Sequence, residues 1–453
     1  MTVQDVDIRL STEKSEQNPQ DGPRKQLRHF EKHLNLNVRG LPVSATLGIN
    51  EQSNLLRGMG RDIFKLGLGQ SPFPVPAPVV EELQANAHQK DYLPVRGLPA
   101  LQEAVCGYYQ RTQGLDFQPK HIMVGPGSKE LMFILQLSYY GDLVIPTPSW
   151  VSYAPQAHII GRHVHWLPTS RDNNWLMTPQ ELEKLCSNDP SKPRIVILNY
   201  PNNPTGCSYT EQELQGIAEV ASRYNVILLS DEIYGELDFE GNHISIARYY
   251  PEGTIISSGL SKWCGAGGWR LGTFAFPESL DWLLDGMAVV SSETFTATSA
   301  PIQYAAVKAF KGGQRMEEYL TQSRRVLKNL AHRVCQTLRS AGAEIAQPKG
   351  AFYIFPDFSG HKEHLAQRGI TTSRELCQQA LQETGVAFLP GSEFGRPSEE
   401  LTVRLALVDF DGQAALDGAA RYPADDELPD TFVEECCGRV MEATNRLADW
   451  VAR

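Results

Sequence analysis

The chain has 453 residues, which is too long for one simple core and favours two closely packed domains. Its 42 Lys and Arg against 53 Asp and Glu give a formal net charge of -11. That charge argues against a nucleic-acid partner or an anionic membrane surface, because both require a basic face. No run approaches the roughly 18 apolar residues of a membrane-spanning helix, so we expect no membrane segment.

The eight cysteines are scattered along the chain and contain no Cys-x-x-Cys pair. In a chain of this length, that pattern is typical of free thiols in a reducing compartment, and we expect a cytoplasmic protein. No cluster of Cys and His has the spacing of metal ligands, so we expect no metal site.

Composition and periodicity predict four segments. Residues 1–30 mix acidic, basic and amide residues without an apolar stretch, which predicts a flexible polar tail and neither a secretory signal nor a transit peptide. Residues 31–80 are loop-rich and predict an N-terminal arm that forms part of a small domain. Residues 81–325 predict a large domain, and residues 326–453 predict the remainder of the small C-terminal domain.

The large domain starts with a helical pattern that is followed by Gly114, a residue type that commonly ends helices. Its predicted buried face consists of Leu101, Ala104, Val105, Tyr108 and Tyr109. Short apolar runs then predict strands at residues 121–124, 142–145, 194–199, 226–230 and 254–258. Helical patterns separate these runs, and one of them begins at the capping box Thr210–Glu213. This alternation predicts a mostly parallel sheet covered by helices, with ligands at the carboxyl ends of the strands.

A long helical pattern at residues 317–340 leads into the small domain. Strand-like runs at residues 352–355 and 402–405 flank a second capping box, Thr372–Glu375, which predicts a mixed helix and strand arrangement. Residues 410–434 lengthen this domain, and we expect them to form a surface loop.

The glycine-rich segment 259–272 contains Lys262, with Arg270 eight residues later. A lysine in such a loop is by default a solvated charge. Three further segments change that interpretation: Asn-Tyr-Pro-Asn-Asn-Pro-Thr-Gly at 199–206, Ser-Asp-Glu-Ile-Tyr at 230–234 and Val-Arg-Leu at 403–405. Together the four motifs resemble those of class I/II pyridoxal-phosphate-dependent aminotransferases of fold type I, the aspartate aminotransferase-like family. The resemblance covers the chain from about residue 66 to residue 404.

The resemblance implies an α/β fold of type I, in which a mostly parallel seven-stranded sheet between helices is joined to a smaller α+β C-terminal domain. It also implies pyridoxal 5'-phosphate as the cofactor. Lys262 would condense with the cofactor aldehyde and act as the general base at the substrate Cα. Asp231 would face the pyridine nitrogen and keep it protonated. Tyr234 and Asn203 would hydrogen-bond the 3'-oxygen of the ring.

The remaining cofactor contacts are implied in the same way. Gly127, Ser128 and Lys129 lie where a predicted strand gives way to a helix, which suits the phosphate. Arg270 would add a charge-assisted contact to that phosphate. Trp150 resembles the aromatic residue that stacks on the ring, although a buried core tryptophan is the competing interpretation.

Two positions concern the phosphate and the quaternary structure. Tyr92 resembles a tyrosine that the neighbouring subunit donates to the phosphate, which implies a homodimer with shared active sites. Many relatives have a serine where this chain has Gly259. Ser261 or Ser258 would then replace that donor, and the sequence leaves the choice open.

Substrate recognition is implied by three residues. Arg404 would hold the α-carboxylate as a two-pronged fork, assisted by the backbone of Gly69 and by Asn203. The resulting activity is the ping-pong transfer of an α-amino group from an L-amino acid to a 2-oxo acid. Residues 290–299 contain no Lys or Arg, and Leu137 stands where some relatives have a lysine, so neutral or aromatic amino acids are favoured over aspartate.

Two other functions stay open at this point. The same residues serve carbon–sulfur lyases and 1-aminocyclopropane-1-carboxylate synthases of this fold, which differ in the fate of the deprotonated substrate. A cofactor-binding regulator without catalysis is less favoured, because the residues before about position 66 contain no basic recognition helix.

Overall fold

A seven-stranded sheet forms the centre of the molecule in the computed structural model, which describes residues 33–453. In spatial order its strands are β2 (Ile122–Gly125), β8 (Gly272–Ala275), β7 (Thr254–Gly259), β6 (Ile227–Asp231), β5 (Arg194–Asn199), β3 (Asp142–Thr147) and β4 (Val164–Pro168). Only β8 runs antiparallel to its neighbours in this sheet. The predicted fold class, with its mostly parallel seven-stranded sheet, is therefore confirmed. The tail predicted at residues 1–30 lies outside the described residues.

Ten helices of this part of the chain precede or flank the sheet. They are α1 (Ala45–Gly58), α2 (Ala77–Asn86), α3 (Pro99–Gln113), α4 (Ser128–Ser138), α5 (Tyr153–Ile159), α6 (Pro179–Ser187), α7 (Glu211–Arg223), α8 (Asp281–Ser292), α9 (Ala300–Lys311) and α10 (Gln314–Ser340). Successive strand residues point to opposite faces. Val144 and Val196 pack on the side of α6 and α7, whereas Leu143 and Ile195 pack on the side of α4 and α8. The strands are thus buried on both faces, as a parallel sheet requires.

The C-terminal part is built on two small sheets. The strands β9 (Tyr353–Ile354), β11 (Leu389–Pro390) and β12 (Val403–Ala406) form an antiparallel sheet in the order β11-β12-β9, and β1 (Phe64–Lys65) pairs with β10 (Val386–Ala387). Its helices are α11 (Lys362–Gln367), α12 (Ser373–Thr384), α13 (Gly412–Ala419), α14 (Thr431–Cys436) and α15 (Gly438–Ala452). One apolar cluster runs without a break from α3 through α10 to β12. The domain boundaries at 80/81 and 325/326 therefore stay a prediction.

Several local predictions correspond closely to the structure. The capping boxes at Thr210–Glu213 and Thr372–Glu375 both form, and Gly114 ends α3 in the left-handed conformation. The expectation of a surface loop at 410–434 is wrong in part, because this stretch contains α13 and most of α14. Between them, the guanidinium of Arg325 on α10 donates hydrogen bonds to four backbone carbonyls of residues 419–426.

Within residues 33–453, no helix is both long and apolar enough to cross a membrane. The same residues contain no group of three or more His, Cys, Asp or Glu side chains that could hold a metal ion.

Candidate active site

Lys262 lies in the loop that follows β7, at the carboxyl ends of the parallel strands. Its Nζ donates a 2.8 Å hydrogen bond to the carbonyl oxygen of Gly69 and lies 5.7 Å from the ring centre of Tyr234 and 5.8 Å from that of Phe352. Burial and the neighbouring guanidinium of Arg404 lower the pKa of Lys262 to about 8. A substantial fraction of the amine is therefore neutral near physiological pH, which nucleophilic attack on an aldehyde requires.

Asp231 is the last residue of β6 and is 4% exposed. Its Oδ2 accepts a 2.6 Å hydrogen bond from the hydroxyl of Tyr153, and its Oδ1 accepts one of 3.3 Å from Ser257 Oγ. Burial raises the pKa of Asp231 to about 6, and the hydrogen bonds from Tyr153 and Ser257 oppose that rise. The carboxylate has hydrogen-bond donors, the Lys262 charge lies nearby, and no salt bridge to Asp231 is found among the described residues, so it is suited to face a cationic ring nitrogen.

Tyr153 and Ser257 are contacts of Asp231 that the sequence reasoning missed. Ser257 is the cross-strand neighbour of Asp231 in the β6–β7 pairing. Tyr153 begins α5, three residues after Trp150. A signal existed for Ser257, since side chains next to a strand-end carboxylate in a parallel sheet are candidates for its donors, but it required the strand order. Tyr153 reaches Asp231 from a helix, and no comparable signal exists for it.

Arg404 lies on β12 and is 1% exposed. Its guanidinium donates hydrogen bonds to Asn203 Oδ1 at 3.2 Å and to the carbonyl oxygen of Gly67, while its Nε finds no partner within residues 33–453. The rings of Tyr353 and Phe394 lie 4.8 and 5.0 Å from it. No carboxylate of the described residues forms an ion pair with Arg404. A buried guanidinium in that position is suited to an anionic ligand.

Tyr234 and Asn203 each contact another residue of this centre. The hydroxyl of Tyr234 shares a 2.9 Å hydrogen bond with that of Tyr353. The pKa of Tyr234 is raised well above its ordinary value, mainly by burial and secondly by Tyr353. Asn203 is held by its backbone N–H, which donates to Asn199 Oδ1 at 2.7 Å. Its side-chain oxygen contacts Arg404. Tyr353 is a further residue of the site that the sequence reasoning missed, because it comes from β9, far along the chain.

A second corner of the site joins the start of α4 to the loop after Lys262. Gly127 precedes α4, and a Cβ there would overlap the guanidinium of Arg270. A Cβ on Gly272 would overlap the backbone nitrogen of Ser128. The amine of Lys129 lies 5.3 Å from the ring centre of Trp150. Its pKa is lowered mainly by burial and secondly by the positive charge of Arg270. Two cations beside free N–H groups at a helix start suit a phosphate.

Three predicted residues need separate comment. Trp150 is half-buried and packs edge-to-face on Tyr153 at 5.2 Å, so it lies at the rim of the core. Tyr92 is 92% exposed and contacts none of the site residues described above. Gly259 has a φ of 156°, and a Cβ there would lie 2.6 Å from the carbonyl oxygen of Leu271, which leaves no room for a serine. Ser261 is half-buried, and no hydrogen bond of its side chain is seen.

Comparison with known proteins agrees with this geometry. The family model "Aminotransferase class I and II" matches residues 61–409. The aspartate aminotransferase of Geobacillus stearothermophilus is 34% identical over 370 residues, which cover 80% of this chain and 91% of the relative. The asparagine–oxo-acid transaminase of Streptococcus mutans is 31% identical over 375 residues, which cover 80% of this chain and 92% of the relative.

A solved structure supports the same assignment. The aspartate aminotransferase from Thermus thermophilus with maleate superimposes with a TM-score of 0.76 at 28% identity, covering 86% of this chain and 100% of that chain. The resemblance seen in the four motifs is thus confirmed over most of the sequence. The chain belongs to the class I and II aminotransferases, a family of pyridoxal-phosphate-dependent enzymes.

Proposed function

We propose that the protein transfers the α-amino group of a neutral or aromatic L-amino acid to a 2-oxo acid by a ping-pong mechanism, with Lys262 as the catalytic base. The observation that carries this proposal is the position of Lys262. Its amine is bonded to the Gly69 carbonyl oxygen and is close enough to a buried carboxylate, Asp231, and a buried guanidinium, Arg404, for both charges to shift its pKa. Arg404 has no anionic partner among the described residues.

The residues present fit pyridoxal 5'-phosphate. The carboxylate of Asp231 suits a protonated pyridine nitrogen, the corner at Ser128 and Arg270 suits a phosphate, and Trp150 offers an aromatic face beside it. When bound, this cofactor withdraws electrons from the substrate and stabilises negative charge at Cα. The protein would supply binding, orientation and proton transfer.

Lys262 would attach the cofactor aldehyde through its amine with loss of water. Once the substrate amine has displaced it, the freed Lys262 amine would move a proton from the substrate Cα to C4′ of the cofactor. Its lowered pKa serves both tasks, because the neutral amine is the nucleophile and the base. Asp231 would keep the ring nitrogen protonated, and the donors Tyr153 and Ser257 would keep Asp231 ionised.

Arg404 would bind the α-carboxylate, and Asn203 would orient the guanidinium from the side of the large sheet. The backbone oxygen of Gly69 holds the Lys262 amine near the same position. A Cβ on Gly69 would overlap the hydroxyl of Tyr353, so a side chain there would disturb the pocket. These contacts would position the Cα–H bond next to Lys262.

The preference for a neutral or aromatic side chain is supported by the charges around the site. The cations that lower the pKa of Lys262 are Arg404, Arg270 and Lys129. Arg404 would take the α-carboxylate, and the other two are near the proposed phosphate corner. Leu137 is half-exposed, and residues 290–299 add no Lys or Arg. This set supplies no further cation for a side-chain carboxylate.

A four-carbon donor, aspartate or asparagine, is the second candidate. It is favoured by the names of the relatives, which include aspartate aminotransferases and an asparagine–oxo-acid transaminase. If this candidate is right, the side-chain carboxylate or amide would bind to uncharged donors or to a second subunit.

We further propose a cytoplasmic homodimer with shared active sites. The support is Tyr92, which is exposed, and Val289 on α8, which is 67% exposed beside an open groove between Pro94 and Ser292. A second subunit would bury this apolar edge and could bring its own Tyr92 to the phosphate corner. All eight cysteines are free thiols, which supports a reducing compartment.

The test is a half-reaction. The purified protein, loaded with pyridoxal 5'-phosphate, is mixed with single amino acids and no acceptor, and its absorbance spectrum is followed. We expect L-phenylalanine or L-leucine to convert the cofactor to its aminated form, and a 2-oxo acid to reverse the change. A faster reaction with L-aspartate or L-asparagine would select the second candidate. Irreversible release of ammonia or a thiol would indicate a lyase and contradict the proposal.

A further inference from the structure

A short segment after β4 packs against the C-terminal part of the molecule, whose sheet carries Arg404. In this segment, residues 169–175, both Asn174 and Trp175 have positive φ angles, 54° and 59°. A bulky aromatic residue rarely adopts this conformation, so the surrounding contacts must hold it there.

The ring of Trp175 begins a continuous series of contacts that ends at Arg404. It packs edge-to-face on Phe355 at 5.8 Å, and Phe355 packs on Phe394 at 6.1 Å. The ring of Phe394 lies 5.0 Å from the guanidinium of Arg404. These aromatic residues form one buried cluster with Leu389 on β11.

Arg396, in the C-terminal part, contacts the same segment at both of its ends, Thr169 and Trp175. Its guanidinium lies 4.8 Å from the ring centre of Trp175 and forms a two-pronged ion pair with Glu400, with N···O distances of 2.9 and 2.8 Å. It also donates a 3.1 Å hydrogen bond to the carbonyl oxygen of Thr169 and a longer one, 3.5 Å, to that of Thr147. Arg396 thus ties the turn that carries Phe394 to the carboxyl ends of β3 and β4.

Arg171 and the backbone of Ser149 make further contacts across this junction. Arg171 forms ion pairs with Glu344 at 2.7 Å and with Asp357 at 2.9 Å. The backbone nitrogen of Ser149 donates a 3.0 Å hydrogen bond to the carbonyl oxygen of Phe394. The hydrogen bond from Ser149 places Phe394 next to the residue that precedes Trp150, which borders the proposed cofactor site.

We propose that Arg396 and Trp175 form a clasp that positions the Arg404 guanidinium in the candidate site and so determines the affinity for the α-carboxylate of every substrate. They are positioning residues, because they act through Phe355 and Phe394 and do not contact the reacting atoms. The clasp is needed because β12 pairs with each neighbour over only two residues, so its own sheet fixes Arg404 weakly. This inference rests on the proposed role of Arg404.

The main test uses Arg396→Gln, which removes the charge and the fork but keeps a polar side chain. Arg374→Gln is the matched control. Arg374 lies on α12 and forms a single exposed ion pair with Glu393, which lies in the same turn as Phe394. The readouts are KM and kcat for the amino acid in the complete reaction with a 2-oxo acid acceptor, and the Kd of an α-methyl amino acid, which has no Cα proton and reports binding alone. Circular dichroism and cofactor absorbance show whether each variant is folded and loaded.

We expect Arg396→Gln to raise KM and Kd by about 3- to 30-fold, the range typical of residues that couple to a site without touching the ligand. The value of kcat should change less than about twofold, because the clasp contributes equally to ground-state and transition-state binding. The increase should be the same for small and large amino acids, and Arg396→Lys should restore part of it by returning the charge over Trp175. Arg374→Gln should behave like the wild type.

Trp175→Phe and Trp175→Leu provide an independent measurement. The phenylalanine variant should keep most of the affinity, whereas the leucine variant should resemble Arg396→Gln if it folds. If Arg404→Gln loses affinity while Arg396→Gln binds like the wild type, the clasp is wrong and the proposed function stands. If Arg404→Gln itself leaves KM and Kd unchanged, the carboxylate role of Arg404 is wrong and the clasp fails with it.

Discussion

The hydroxyl of Tyr153 donates a 2.6 Å hydrogen bond to Oδ2 of Asp231 at the floor of the candidate site. The bond opposes the effect of burial, which raises the pKa of Asp231 to about 6. Tyr153 therefore helps to keep ionised the carboxylate that is proposed to face the cofactor ring.

Replacing Tyr153 by phenylalanine should raise the pKa of Asp231 further, because a donor to the ionised form is lost. Since the ionised form is the one proposed to pair with the ring nitrogen, cofactor affinity should fall as pH drops through the pKa of Asp231. In the wild-type apoprotein we expect this decline near pH 6, and in Tyr153→Phe at a higher pH. Equilibrium titration of the apoprotein with pyridoxal 5'-phosphate across pH 5 to 8 measures both midpoints.

Tyr224→Phe is a suitable control for this experiment. Its hydroxyl donates a hydrogen bond of the same length, 2.6 Å, to Glu183, far from Lys262 in the fold. The control should leave the midpoint unchanged. An unshifted midpoint in Tyr153→Phe would show that its bond to Asp231 has no part in holding the cofactor.

The amine of Lys262 should titrate near pH 8, because burial and Arg404 destabilise its ammonium form. Only the neutral amine attacks an aldehyde, so the rate of covalent cofactor attachment to the apoprotein should rise with pH and reach half its maximum near pH 8. Replacing Arg404 by glutamine removes a nearby positive charge, which should raise the pKa of Lys262 and move the midpoint upward. Stopped-flow absorbance at several pH values provides the rates.

Arg374→Gln should leave that midpoint in place, since this exposed arginine pairs with Glu393. A rate that does not depend on pH between 6 and 10 would contradict the prediction. Lys262→Ala should bind the cofactor without the covalent link and should lack the half-reaction.

The local elements of this fold could be predicted because their signals lie within a few residues of each other. The capping box at Thr210–Glu213 and the alternation of apolar strands with helices needed no knowledge of distant contacts. The strands β4 and β8 were missed for physical reasons. β4 is a half-exposed edge strand, and β8 follows a glycine-rich loop directly, so neither has a clear apolar run.

The candidate site divides in the same way. Lys262 and Asp231 stand in motifs that can be recognised from consecutive residues. Three contacts of the site could not be assigned from spacing. Ser257 reaches it through strand register, Tyr153 from helix α5 and Tyr353 from a different sheet. Register and sheet order are long-range properties, and local periodicity does not specify them.

Gly272→Ala should disrupt the proposed phosphate corner. The new Cβ would overlap the backbone nitrogen of Ser128, and a backbone atom at the start of α4 cannot move aside as a flexible side chain can. We expect cofactor affinity to fall by about 5- to 150-fold, since overpacking of this kind costs about 1–3 kcal/mol. Gly268→Ala is the control, because nothing lies within 4 Å of its Cβ position. Fluorescence titration with the cofactor compares the two, and equal affinities would contradict the proposed corner.

Arg325→Gln should loosen the insertion between α13 and α14. The guanidinium of Arg325 holds the backbone carbonyls of Ala419, Tyr422, Pro423 and Asp426, at distances from 2.8 to 3.4 Å. Losing these partly exposed bonds should lower the free energy of local opening by about 1–3 kcal/mol, and cleavage of residues 420–430 by a protease should accelerate accordingly. Lys328→Gln, on the same helix, removes only an exposed ion pair with Glu240 and should leave the cleavage rate near that of the wild type. If both variants are cleaved at the wild-type rate, the insertion is held by its apolar contacts through Leu428 and Phe432 rather than by Arg325.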